Sequence, residues 1–295
     1  MRSVLPFVCL AILLLAGCAA PRSDRPVVTA PDGVDCCADP ERYPRLLVAG
    51  LDPLAPLFGR GVAHVHLRRG HLADRAEARD FVVSRLRPLD LIAFSSKGRL
   101  SGNLIPGHFG HFGLYLGSEK ELRALGIWDT DAVRPHQARV REGATLVESD
   151  YKGVHLATPE EIFNTDAVAV LRPRLYTTAQ RRRIALALFG HLGTRFDYRF
   201  DLREDACLFC AELIHHVMPE LRLPVREVYG RPMILPDEVV DAVRTGDNRR
   251  LSLVLYVKSA GNGWQRADAR DLGTDLVAAW SRGKARGNSP AGLRQ

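Results

Sequence analysis

The N-terminal apolar run, residues 4–15, holds only twelve positions, where a bilayer-spanning helix needs about twenty. A basic stripe interleaved with aromatics is missing too, although 41 Lys and Arg against 34 Asp and Glu give a net charge of +7. Nucleic-acid binding therefore has no footprint here. The basic balance, carried largely by arginine and reflected in a pI near 9.3, suits anionic lipid or cell-wall polymer, or a merely solvated surface. No internal repeat is evident, which excludes a solenoid. The one C-x-x-C pair, Cys207 and Cys210, lacks the βαβ setting of a thioredoxin. With 46% hydrophobic and 25% charged residues, the chain is not a disordered one either.

What is present begins with an export signal. Arg2 is followed by the apolar run and then by Leu15, Ala16, Gly17 and Cys18, which resembles the lipobox of bacterial lipoproteins. That resemblance implies a signal peptide over residues 1–17, cleavage before Cys18 and lipidation of that thiol. An ordinary secretory signal cut near Ala19 and Ala20 is the other reading of the same residues. Ala19, rather than aspartate, after the lipidated cysteine favours the outer membrane, facing the periplasm. Residues 18–43, rich in Pro, Asp, Arg and Ala, read as a flexible tether. Residues 44–280 are enough for one sizeable core, and the Arg, Gly and Ser-rich residues 281–295 read as a disordered basic tail. Cys36 and Cys37 offer a disulfide partner to Cys207 in an oxidising compartment, but sequence does not fix connectivity.

Within the body, residues 72–86 have helical spacing and end at Pro88. Strands are expected at 89–94, carrying Asp90, and at 111–116, paired with each other. A segment with helical pieces, 118–143, separates them from strands at 145–148 and 154–157. Thr158, Pro159 and Glu161 announce a helix start, as do Thr177 and Gln180 for a longer helix to about Leu192, stopped by Gly193. A strand at 167–171 lies between these helices. Leu213, Ile214, Val217, Met218 and Leu221 share one face of a helix beginning at or just before Cys210. A helix at 236–243 and a final strand at 251–257 complete the reading.

A thiol at a helix N-terminus is stabilised as thiolate by unpaired N–H groups and the helix dipole. His111, closing onto a strand, offers a base, with His108 as its near neighbour. The succession LDLIAFSS, NLIPGHFGHFGLYLG, TLVESDYKGVHLATPEEI, AVAVLRP, FDYRFD and FCAEL resembles the circularly permuted papain-like hydrolases of the NlpC/p60 superfamily, the YiiX and YebB-like group. It spans about residues 86–257. Histidine before cysteine is the reverse of the papain order, which permutation accounts for. The resemblance implies an α+β fold, an antiparallel sheet flanked by helices. It also implies Cys210 as nucleophile, His111 as general base and acid, and Glu148 as the group that orients the imidazole, with Asp150 as the nearby substitute. Phe209 and Ala211 stand where the family has tyrosine and serine or threonine, so two hydroxyls are missing. Their contacts to substrate or oxyanion do not carry over.

The expected activity is amide hydrolysis in a peptidoglycan stem peptide or another peptide-like envelope substrate, with no metal or organic cofactor required. Ester or acyl chemistry on lipid is the runner-up, since permuted relatives of the lecithin retinol acyltransferase type share the layout. Two further readings stand beside it: a non-catalytic envelope-binding lipoprotein, and a metal site built from Cys207, Cys210, His215 and His216, against which helical azimuths argue.

Overall fold

The computed structural model describes residues 36–37, 40–174 and 176–287; the expected signal peptide and Cys18 lie outside them. Seven strands form one antiparallel sheet: β1 (Leu91–Ser95), β2 (His111–Tyr115), β3 (Leu146–Asp150), β4 (Gly153–Ala157), β5 (Ala167–Pro173), β8 (Leu251–Ala260) and β9 (Gly263–Ala267). Their order across the sheet is β4-β3-β2-β1-β5-β8-β9. A separate hairpin pairs β6 (Arg226–Val228) with β7 (Arg231–Met233).

The central strands read as continuous apolar runs because both faces are covered. On β1, Leu91 and Ala93 join one core while Ile92 and Phe94 join the other. On β5, Ala167, Ala169 and Leu171 alternate in the same way with Val168 and Val170, as the two-residue side-chain period of a strand requires. Helix α3 (Ala76–Val83) buries Ala78 and Val82 on one side of the sheet, and α7 (Pro159–Ile162) adds Ile162 there. On the other side lie α8 (Thr178–His191), α9 (Cys210–Val217) and α10 (Pro236–Thr245).

Local rules explain the helix starts. The hydroxyls of Thr158 and Thr177 accept from the N–H groups of Glu161 and Gln180, and those side chains accept from the caps in return. Each box satisfies donors that the first helical turn leaves unpaired. The segment after β2 contains α5 (Glu119–Ala124), capped likewise by Ser118, and α6 (Gln137–Arg141).

Three expectations need correction. The stretch 18–43 is not all tether: Cys36 and Cys37 are 7% and 4% exposed and belong to the main core. Arg226 donates to the Cys37 carbonyl at 2.6 Å, and the Tyr229 N–H donates to Glu41 at 2.8 Å. Burial and these bonds to the hairpin hold a segment whose composition alone reads as linker. Cys36 and Cys37 are disulfide-bonded to each other, leaving Cys207 a free thiol. Finally, β8 is not the last strand. It turns into β9, and α11 (Ala269–Gly287) follows, running into the stretch 281–295 expected to be frayed. Leu272, Leu276 and Trp280 of α11 are buried, and that apolar stripe explains why the chain stays helical there.

The chain before the sheet is also helical. Helix α1 (Arg45–Leu51), a 3-10 turn over Asp52–Leu54 and α2 (Ala55–Ala63) follow one another. A last short helix, α4 (Ser101–Leu104), precedes the loop that leads into β2.

Candidate active site

His111 opens β2, paired with Phe94 of β1. The loop before it is held from behind by Asp237, near the start of α10. Its carboxylate accepts the backbone N–H groups of His108 and Phe109, each at 2.6 Å, and the Trp280 indole N–H at 2.7 Å. Gly107 passes so close to this carboxylate, with φ +101°, that a Cβ would collide with it. Asp237 is fully buried, and burial pushes its carboxyl up to about 6 against those three donors.

Glu148 lies on the neighbouring strand β3, level with Gly113 on one side and with His155 of β4 on the other. Its Oε2 is 2.7 Å from His111 Nε2, and its Oε1 is 3.3 Å from His155 Nε2. Two imidazoles thus flank one carboxylate. Burial works against the charge on Glu148, but the hydrogen bonds and charges of His111 and His155 hold it well below the usual carboxylate range.

Cys210 is the first residue of α9 and 6% exposed. Phe209 before it is extended, and its N–H donates to Glu212 at 3.2 Å, half of a capping box that needs no cap side chain. The buried Ser149 hydroxyl, one residue past Glu148, donates to the Leu208 carbonyl at 2.6 Å. That bond ties β3 to the chain just ahead of the thiol and sets the two at a fixed separation. Cys210 and His111 line the same cleft, and the sulfur acts electrostatically on the ring; with Nε2 held by Glu148, Nδ1 is the nitrogen left to face the sulfur.

Burial alone lowers the His111 pKa, but the Cys210 sulfur and then Glu148 outweigh it and raise the imidazole to about 10. A protonated imidazole between a sulfur and a carboxylate is the arrangement of a thiolate–imidazolium pair. Glu212 sits two residues beyond the thiol. Burial lifts it to about 8, so it is largely uncharged at neutral pH and does not repel a thiolate.

The thiol, the imidazole and Glu148 line a cleft of about 630 Å³. Its walls are largely apolar, lined by Phe94, Ile105, Phe200, Phe209 and Met233 together with Phe58 of α2.

Residues 85–243 match the model of a family described as permuted papain-like amidase enzymes, YaeF/YiiX, C92 family. The chain belongs to this family. No curated protein and no solved structure matches it. As a permuted papain-like amidase it is a cysteine hydrolase, and the antiparallel sheet with flanking helices is that fold.

The sequence candidates fall out as follows. His111, Glu148 and Cys210 come together, whereas His108 turns away and its Nε2 meets the Tyr256 hydroxyl at 3.0 Å. Asp150 lies on the same strand face as Glu148, but its contact is with His155 Nδ1 at 3.6 Å. Burial and the neighbouring Glu148 raise its pKa. Cys207 and Cys210 are both free thiols. Among the described residues, the group of three donors close enough to share a metal ion is Glu148, Asp150 and His155, not the one built on Cys207 and His215.

His155 is the residue that sequence reasoning passed over. Its Nδ1 is 2.9 Å from the Gly153 carbonyl while Nε2 faces Glu148, so both ring nitrogens meet acceptors. Burial opposes its charge, yet these partners raise its pKa. No spacing in the sequence marked it: the register of β3 and β4 across their tight turn is what sets His155 opposite Glu148.

Proposed function

We propose that the protein is an envelope-anchored thiol amidase in which Cys210 is the nucleophile, His111 the general base and acid, and Glu148 the group that orients His111. The observation that carries this reading is the convergence of Cys210, His111 and Glu148 on one cleft, with Glu148 Oε2 2.7 Å from His111 Nε2 and the thiol at a helix N-terminus. Cys210 Sγ attacks the amide carbonyl carbon, and the Cys210 N–H at the start of α9 donates to the developing oxyanion. The C–N bond breaks as imidazolium gives its proton to the departing amine, leaving a thioester. Water then gives its proton to the same imidazole as it attacks the thioester, releasing the acid and restoring the thiol–imidazole pair. Glu148 keeps the ring turned so that one nitrogen faces the sulfur throughout. His155 steadies Glu148 from the other side.

The substrate is an amide of the cell envelope, a peptidoglycan stem peptide or a similar peptide-like compound, and lipidation of Cys18 holds the enzyme at the outer membrane facing the periplasm. The apolar cleft walls favour a second reading, hydrolysis or transfer of an acyl chain from lipid. Incubation with muropeptides and with phospholipids, beside the Cys210→Ala variant, separates the two. An intermediate mass adduct on the Cys210 peptide and release of product from one pool support the proposal. Turnover equal in wild type and variant would sink it.

A further inference from the structure

Helices α1 and α2 carry apolar side chains on two sides, and among the described residues only one side has a partner. Residues lining the cleft recur at helical spacing along them: Val48, Leu51, Ala55, Phe58, Val62. This inner side is fastened to the body. Asp52 pairs with Arg231 at 2.5 Å and Arg199 at 3.7 Å, and Gly59 passes so close to the Tyr198 ring that a Cβ would overlap it.

The outer side carries Leu46 at 87%, Leu54 at 53% and Leu57 at 73% exposure, with Phe58 at 57% on its edge, and Val65 and Leu67 extend the patch at 40% and 64%. A surface helix of a soluble protein turns a polar face to water; one that is apolar on every side belongs in a core or against lipid. The run Arg45–Ala63 is long and apolar enough to cross a membrane by length and composition. Its ion pairs and the Tyr198 contact instead lay it along the body, in the manner of an interfacial helix.

We propose that the outer face of α1 and α2 docks on the surface of an anionic phospholipid bilayer, so that the catalytic cleft opens beside the membrane. Two further observations choose a bilayer over other apolar partners. Residues 41–69 contain five arginines against one glutamate and one aspartate, a positive excess of three that complements anionic headgroups around an apolar patch even with Arg45 paired to Glu41 and Arg68 to Asp166. The chain from Cys18, the expected site of lipidation, to the core-packed Cys36 spans at most roughly 60 Å when fully extended, so the patch is delivered to the membrane at high effective concentration. Docking is separate from turnover and stands or falls without the amidase chemistry.

The test uses the full chain purified from membranes and reconstituted into vesicles containing anionic phospholipid, with Leu57→Trp as reporter. Asp131→Trp is the control, since Asp131 has a 94% exposed side chain in the segment that leaves the opposite end of β2 from His111. Replacing the lipid by one brominated in its acyl chains is expected to remove about half of the emission that position 57 adds to the unsubstituted chain, whose own Trp128, Trp264 and Trp280 are subtracted, as for a side chain held roughly 5–10 Å below the headgroups, and none of that added at position 131. Leu46→Trp reports the same face should the first variant not fold. Equal quenching at both positions, or none at either, overturns the proposal. So does cross-linking of position 57 to a second copy of the chain in place of quenching.

Discussion

Replacing Glu148 by glutamine keeps the shape of the site and removes one negative charge from beside His111. The Oε2 to Nε2 distance of 2.7 Å puts the charge centres about 4 Å apart, where an effective dielectric of about 20 gives roughly 4 kcal/mol. That corresponds to about three pKa units, and opposite charges at this range shift a neighbour by about 1–3. Glu148 favours the protonated ring, so its loss lowers the His111 pKa from about 10 to a value between about 7 and 9. The charge of the imidazolium draws the iodoacetate anion to the thiol, which gives an assay that needs no substrate. The rate of carboxymethylation at Cys210, followed by peptide mass spectrometry so that Cys207 is counted apart, falls as pH rises through the His111 pKa. In Glu148→Gln this alkaline fall is expected at least one unit lower than in wild type. Coincident profiles would show that Glu148 does not set the charge of His111, and the orienting role assigned to it would go with them.

The same pair gives a stability prediction. His111 has a raised folded-state pKa, so its contribution is complete below its ordinary value near 6.5 and disappears as pH rises through about 10; denaturant midpoints measured between pH 7 and 10 should fall in wild type and much less in His111→Gln. Asp237→Ala strips three donors of a buried acceptor and should cost roughly 3–5 kcal/mol in chemical denaturation, with a denaturation midpoint close to wild type contradicting the anchoring role. Gly59→Val forces a Cβ and two methyls into the Tyr198 ring, at about 1–3 kcal/mol; proteolysis within residues 45–63 should quicken, and unchanged cleavage would mean the helix is not seated there. A non-reducing peptide map is expected to find Cys36 linked to Cys37 and Cys207 alkylatable, a Cys37 to Cys207 link being the contrary result.

Sequence reading succeeded where a local rule leaves a local mark. The threonine caps at 158 and 177 announce helices that start as expected, and the apolar face beyond Cys210 announces α9. Strands β1 and β2 pair because alternate residues must fill two cores. The misses are places where the deciding interaction is distant or the pattern is atypical. Helices α1 and α2 and the turn between them contain Pro53, Pro56 and three glycines, and apolar residues on both sides erase the periodicity that marks an amphipathic helix. Pro232 in β7 disguises a strand that needs only its partner β6. The contact of His155 with Glu148 depends on β3 and β4 register, which no spacing in the sequence states. Cys36 and Cys37 look like linker residues until the hairpin folds over them.

The order of the site along the chain has a consequence for biogenesis. His111 and Glu148 occupy adjacent strands, whereas Cys210 arrives on a later helix held to β3 through Ser149 and Leu208. Pairing among β1 to β5 can proceed without α9, and the closure that brings the helix in comes at an entropic cost of its own. Until that closure the cysteine is an ordinary thiol, with neither imidazole nor helix terminus to activate it. An unfolded chain is therefore chemically quiet, and reactivity appears only once α9 has closed onto β3.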